Sequence, residues 1–144
     1  MNSVNEKSAN SSVKKRVLIV EDERPMARAL EIKLTNSGFD AKVAADGQYA
    51  LDFLATEKFD IVLLDLVTPR KDGFDVLEEL KKRGDKTPVI ISSNLSQPED
   101  ISRAKALGAR DYFVKSNTPI SKVVEHVVDV LGQCENCFVG ETAT

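Results

Sequence analysis

The sequence has no aliphatic run longer than a few residues; Val17–Val20 and Ile61–Leu64 are typical. A membrane-spanning helix needs ~20 apolar residues in succession, so no span is legible. The N-terminus also lacks the apolar stretch of a secretory signal. The chain is therefore expected in the cytoplasm, away from any membrane. Cysteine is scarce: Cys134 and Cys137 are the only two, and both lie near the C-terminus. A structural zinc site needs four ligands. This pair and the single histidine, His126, supply three at most, so the cysteines are read as part of a loose tail without a metal. Neither sign of charge dominates, since 20 Lys and Arg against 23 Asp and Glu leave −3. That weak acidic balance argues against a protein that holds nucleic acid through phosphate neutralisation alone. No G-x-G-x-x-G or other phosphate-cradling loop follows the first apolar run, which argues against a flavin or dinucleotide carrier.

What remains is ordinary globular material. The 144 residues are 42% hydrophobic and 30% charged, which fits one domain with tails. Residues 1–15, rich in Ser and Asn, read as a disordered lead-in. Residues 133–144, small and polar, read as a C-terminal tail. The span 16–132 reads as the folded unit.

Within it, short apolar runs alternate with helical stripes. Val17–Val20 is a first strand. Pro25 suits the first turn of a helix, and Met26, Leu30 and Leu34 form one of its faces before Gly38. Phe39–Ala44 is a second strand. Asp46-Gly47 marks a turn and an N-cap, followed by a stripe of Ala50, Leu51 and Leu54. Ile61–Leu64 is apolar on both faces, as befits a central strand of a parallel sheet covered on each side. Phe74, Leu77 and Leu80 mark a third helix, ending near Gly84. Pro88–Ile91 opens a fourth strand, Ile101, Ala104 and Leu107 mark a fourth helix, and Tyr112–Val114 is a short fifth strand. The last helix presents Ile120, Val123, Val124, Val127, Val128 and Leu131 as its apolar stripe. Lys122, Glu125, His126 and Asp129 fall opposite. Five β–α units imply an α/β fold: a five-stranded parallel sheet with helices on both faces.

In an open parallel sheet, ligands bind beyond the carboxyl ends of the strands. Glu21 and Asp22 follow the first strand, Asp65 the third, Ser92 and Ser93 the fourth, and Lys115 the fifth. Singly, each has a bland reading: an Asp after a strand is often a cap, and a lone lysine or serine is often only solvated. Jointly they place three carboxylates, a hydroxyl and an ammonium on one rim. Packed carboxylates repel, and a hard divalent cation resolves the conflict; Mg2+ is commonly held by one or two carboxylates with phosphate oxygens and water. Lys115 then suits a phosphate oxygen, a carboxylate can attack phosphorus, and Ser93 can donate a hydrogen bond to the product. The basic clusters Lys14-Lys15-Arg16 and Lys81-Lys82-Arg83 read as solvated element ends, the second favoured by a helix dipole.

Taken in order, these pieces resemble the receiver domain of bacterial two-component response regulators. The pieces are Val17-Leu-Ile-Val-Glu-Asp22, Ile61-Val-Leu-Leu-Asp65, Thr68-Pro69 with Asp72-Gly73, Pro88-Val-Ile-Ile-Ser-Ser93, and Gly108-Ala109 leading to Asp111-Tyr-Phe-Val-Lys115. The resemblance covers about Arg16–Gly132. It implies a (βα)5 flavodoxin-like sheet of order 2-1-3-4-5. It implies that Asp65 accepts a phosphoryl group from a phosphohistidine on a sensor histidine kinase or phosphotransfer protein. Asp22, Asp65 and the backbone carbonyl of Val67 would ligate Mg2+, with Glu21 acting through a bound water. Lys115 would pair with the phosphoryl group, Ser93 would be the switch hydroxyl, and Tyr112 the aromatic that turns inward when it moves. The face built from the fourth helix, fifth strand and fifth helix would then meet a downstream protein target or pair as a homodimer.

The sequence departs from the family pattern in three places. Glu21 stands where Asp is commoner. Ser116 follows Lys115 where the family usually has Pro. A cis bond before a non-proline residue costs ~3–4 kcal/mol, so a trans bond or a shifted loop is expected there. Val67 and Leu95 lie two residues beyond Asp65 and Ser93, positions that influence water access in the family. Two apolar groups there are expected to slow hydrolysis. No output domain is read after the fifth helix, so a stand-alone receiver is expected, one that passes its signal by protein–protein contact or acts as a phosphoryl relay, without contacting nucleic acid directly. It would be no enzyme beyond its own phosphorylation and dephosphorylation. One alternative is a Mg2+-dependent phosphatase or phosphotransferase with an Asp nucleophile. Such enzymes often carry a second Asp two residues on, where this chain has Val67. The other alternative is a pseudo-receiver that works without phosphorylation.

Overall fold

The computed structural model describes residues 14–131. The expected tail with Cys134 and Cys137 lies outside the described residues, as does nearly all of the expected lead-in. Lys15, which was placed in that lead-in, already accepts a hydrogen bond from the Asp40 amide at 2.9 Å.

Five strands alternate with five helices: β1 (Arg16–Val20), α1 (Arg24–Asn36), β2 (Asp40–Ala44), α2 (Gly47–Thr56), β3 (Ile61–Leu64), α3 (Gly73–Arg83), β4 (Val89–Ser93), α4 (Pro98–Ala106), β5 (Asp111–Val114) and α5 (Ile120–Leu131). The strands form one parallel sheet in the order β2-β1-β3-β4-β5, as expected. The middle strands are buried along their whole length because both faces are covered. Successive side chains point to opposite faces, which sorts the core into two halves. Leu18, Val20, Val62, Leu64 and Ile91 pack under α2, α3 and α4, against Leu51, Leu77 and Ala104. Val17, Ile19, Ile61, Leu63 and Ile90 pack under α1 and α5, against Leu34, Val124 and Val127. Fully burying one such aliphatic side chain contributes roughly 1.5–3 kcal/mol, so these two layers carry most of the folding drive.

Helix starts follow local chemistry. The Asp46 side chain caps α2 by accepting from the Tyr49 amide at 2.9 Å, as the Asp-Gly pair implied. Asp72 and Asp75 form a reciprocal capping box at the start of α3. α4 begins at Pro98, earlier than its apolar stripe suggested, with Pro in the first turn and Glu99 and Asp100 behind it.

Three placements differ from the sequence reading. Ser92 and Ser93 lie inside β4 rather than beyond it, because Ser93 still pairs with Val114. Val128, assigned to the apolar stripe of α5, is exposed. It sits at the stripe's edge, while Val124, Val127 and Leu131 take the sheet-facing centre. His126, assigned to the solvent side, turns back to β5. Its Nε2 lies 2.6 Å from Asp111 Oδ2, and its ring meets Phe113 edge to face at 5.1 Å between centroids.

Candidate functional site

The strand order reverses between β1 and β3, so the carboxyl ends of these neighbours form the crevice of the sheet. Backbone pairing carries each strand one residue further: the Glu21 amide donates to Ala44, and the Asp65 amide to Val20, both at 3.0 Å. Both carboxylates are thereby fixed and buried, while Asp22 stays exposed. Candidate ligand oxygens of Glu21, Asp22 and Asp65 lie within 4.8 Å of one another. Gly73 holds the far side of the loop close. A β-carbon there would sit 2.9 Å from the Asp65 carbonyl oxygen and 2.7 Å from Leu66 Cα, too near for any other residue.

Lys115, first residue of a short 3-10 turn after β5, reaches across from the other side. Its Nζ lies 2.7 Å from Glu21 Oε1, 3.0 Å from Asp65 Oδ2 and 3.9 Å from Glu23 Oε1. Burial pulls the Lys115 ammonium down, but its bonds to Glu21 and Asp65 outweigh that and leave it above its usual value. Burial also pushes the Glu21 carboxyl up; Lys115 opposes this, and the Asp65 charge reinforces it. The site thus holds three acids against one cation, with Glu21 and Asp65 buried and Asp22 exposed at the mouth. Hard oxygen donors at this spacing suit Mg2+ in kind and in charge.

The other expected residues border the same place. Ser93 is fully buried at the end of β4, and its Oγ accepts from the Leu95 amide at 3.2 Å. Tyr112 is partly buried, its hydroxyl donating to the Leu95 carbonyl at 2.6 Å. Burial raises the Tyr112 phenol, the Asp100 and Asp65 charges raise it further, and a hydrogen bond with Ser93 works against them. The Val67 amide donates to Asp65 Oδ1 at 3.2 Å, while Val67 is 58% exposed. Val67 and Leu95 flank an open cleft of about 320 Å³ together with Asp22, Glu23, Asp65, Asn94 and Lys115. The Lys115–Ser116 peptide is trans, as expected for a bond without proline.

Sequence reasoning missed two residues here. Glu23 adds a fourth acid near Lys115, and its amide donates to Glu21 Oε2 at 3.2 Å. Its position directly after Glu21-Asp22 was the available signal. Asn94 links two loops, its Oδ1 accepting from the Ser116 amide at 3.1 Å. Nothing in the sequence pairs those positions, although an N–H at Ser116, where proline is usual, is the precondition.

Comparison with known proteins agrees with this geometry. Residues 17–127 match the response regulator receiver domain. A probable transcriptional regulator, ycf27, of Porphyridium aerugineum is 40% identical over 106 residues, covering 74% of this chain and 44% of that protein. The regulator of RpoS of Escherichia coli strain K12 is 35% identical over 115 residues, covering 80% and 34%. The chain spans about half or less of the length of these curated relatives. Among solved structures, the receiver domain of the Francisella response regulator 1452 superposes with a TM-score of 0.77 at 31% identity, covering 83% of this chain and 98% of that one. The phosphorylated cyanobacterial phytochrome response regulator RcpA gives 0.71 at 28% identity, covering 83% and 93%. With a match that runs unbroken from β1 into α5, the chain belongs to the response regulator receiver domain family.

Proposed function

We propose that this chain is a phosphorylation-dependent signalling receiver in which Asp65 is the phosphoacceptor. The observation that supports it best is the bridge from Lys115 to both Glu21 and Asp65 beside an acid cluster that one ammonium cannot neutralise. The donor is a phosphohistidine of a sensor histidine kinase or phosphotransfer protein. An Asp65 carboxylate oxygen forms the new bond to phosphorus, the phosphorus–nitrogen bond breaks, and the electron pair leaves with the imidazole. Asp22, Asp65 and the Val67 carbonyl would hold Mg2+, with Glu21 acting mainly through a bound water; when bound, the ion would offset negative charge on the transferring group. Lys115 pairs with a phosphoryl oxygen and Ser93 donates a hydrogen bond to another.

Recruiting the Ser93 hydroxyl disturbs its contact with the Leu95 amide, and Tyr112 already bonds the neighbouring carbonyl. The two-state element is therefore the loop between β4 and α4, and the readout is the α4-β5-α5 face. That face meets a downstream protein or a second copy of the chain in the cytoplasm. No helix among the described residues is long and apolar enough to cross a membrane.

The test is intact mass after incubation with a small phosphodonor, with and without Mg2+. We expect one phosphate adduct that requires Mg2+ and is lost in Asp65→Asn. An adduct that survives Asp65→Asn, or none at all in the wild type, rejects the reading. With Val67 and Leu95 flanking the cleft, the adduct decays slowly, and polar residues at both positions shorten its lifetime several-fold. Rapid loss from the wild type contradicts that part.

A further inference from the structure

The loop between β3 and α3 begins at Val67, whose amide holds the Asp65 carboxylate, and ends at the capping box of Asp72. Its base is closed by the Gly73 amide on the Leu66 carbonyl at 2.9 Å. Its apex is Arg70, the only residue other than glycine with positive φ among the described residues, at 67°. The left-handed region disfavours a residue with a β-carbon, so its cost must be offset by contacts, within the loop and from outside it.

Two contacts with α2 come from outside it. Arg70 Nε and Nη2 lie 2.8 and 3.3 Å from the two oxygens of Asp46, a fork on a largely buried carboxylate. The guanidinium also stacks on the Tyr49 ring, 4.8 Å from its centroid. The Arg70 guanidinium, with the Tyr49 amide, holds the Asp46 carboxyl below the usual carboxylate range. Beside this pair the two backbones touch. A β-carbon on Gly47 would lie 2.0 Å from the Lys71 carbonyl oxygen, so only glycine lets α2 approach the loop so closely. Within the loop, Thr68 Oγ1 donates to Lys71 at 2.8 Å and the Lys71 amide to Pro69 at 2.7 Å. The loop is thus a small stiff arch, pinned at its apex to a different helix.

We infer that Arg70 and Asp46 are positioning residues for the cation site: their ion pair fixes the arch and so sets where Val67 and the Asp65 carboxylate stand. The inference rests on the proposed Mg2+ role of Asp65 and goes beyond it, since neither residue lines the cleft. Mg2+ demands near-ideal octahedral geometry, so it is sensitive to small displacements of its ligands. A group that only orients a ligand therefore changes affinity without touching the metal.

Four proteins decide it: wild type, Arg70→Ala, Asp46→Asn and the double variant, each titrated with Mg2+ alone by calorimetry and each melted in EDTA. Asn retains the cap on the Tyr49 amide, so Asp46→Asn separates the ion pair from the helix cap. Either single variant is expected to weaken Mg2+ binding about tenfold, and the double variant no further. Arg70→Lys keeps the charge but not the fork, and recovers part of the loss. If the variants melt lower yet bind Mg2+ as the wild type does, the pair serves stability alone and the inference fails. If the singles weaken binding additively, they act separately and it fails as well. If the wild type binds no Mg2+, the functional reading falls first and takes this one with it.

Discussion

Around Arg16, at the amino end of β1, charges meet in balance. Arg16 bonds Asp40 and Glu57, and Lys42 bonds Glu57 at 2.6 Å. The Arg16 and Lys42 cations also lie over the rings of Phe59 and Phe53. At the carboxyl end of the same sheet, Lys115 stands alone against Glu21, Asp22 and Asp65. The two glutamates show the difference. Bonds from Lys42 and Arg16 hold the Glu57 carboxyl below its usual range, whereas burial pushes the Glu21 carboxyl above it. The first cluster fastens an edge of the sheet. The second leaves the buried Glu21 and Asp65 carboxylates together at the end of an open cleft, the kind of strained arrangement that clusters at binding sites.

Removing the lysine from each cluster separates them most widely. In Mg2+-free buffer, Lys115→Met lowers the unfolding free energy by about 3 kcal/mol, because two buried carboxylates lose the only cation paired with them among the described residues. Lys42→Met costs about 0.5 kcal/mol, since Glu57 keeps Arg16 and access to water. Urea denaturation of the two variants checks this. Equal losses would mean that the crevice is better solvated than its burial implies.

Removing the glutamates gives smaller effects of opposite sign. A folded-state carboxyl held high disfavours its own charge, so Glu21→Gln melts a few degrees higher than the wild type at neutral pH without Mg2+. Glu57→Gln melts lower. For Glu57 the sign follows from linkage. Its folded pKa lies below the unfolded value of 4.5, so its stabilisation is present above 4.5 and disappears as pH falls through the folded value. The gap between wild type and Glu57→Gln should therefore be full at pH 7 and close on acidification. A gap independent of pH would show that Glu57 acts by packing and not by charge.

The same contrast explains what could be read without coordinates. The parallel, two-sided core follows from apolar runs such as Ile61–Leu64, while the strand order comes with the family resemblance and not from periodicity. The rim residues were legible because topology forces the carboxyl ends of β1 and β3 together, and Glu21, Asp22 and Asp65 stand directly after those strands. What escaped depends on loops. Arg70 and Asp46 are 24 residues apart, and their pairing depends on an apex conformation that no pattern announces. Val128 and His126 were misplaced because helical periodicity gives a stripe but not its edges. His126 answers to Asp111 on a neighbouring strand, a partner that the helix's own sequence does not contain.

Asn94 gives the finest test of the comparison. The balanced edge is redundant: Arg16 alone contacts Asp40, Glu57, Asp60 and the Lys58 carbonyl. At the rim, the loop after β4 and the loop after β5 share one bond, from the Ser116 amide to Asn94 Oδ1, between exposed residues. Its loss in Asn94→Ala should cost only about 0.5 kcal/mol of global stability, the usual net worth of an exposed hydrogen bond. Local protection should fall much further, because among the described residues no other hydrogen bond ties Ser116 across the gap and local opening is governed by local contacts. Amide hydrogen exchange reads both quantities at once. Faster exchange at Ser116 with unchanged exchange in β1 and β3 is the expected pattern. Unchanged exchange at Ser116 would mean that the 3-10 turn itself holds the loop, and that the rim is less dependent on single contacts than the edge network makes it look.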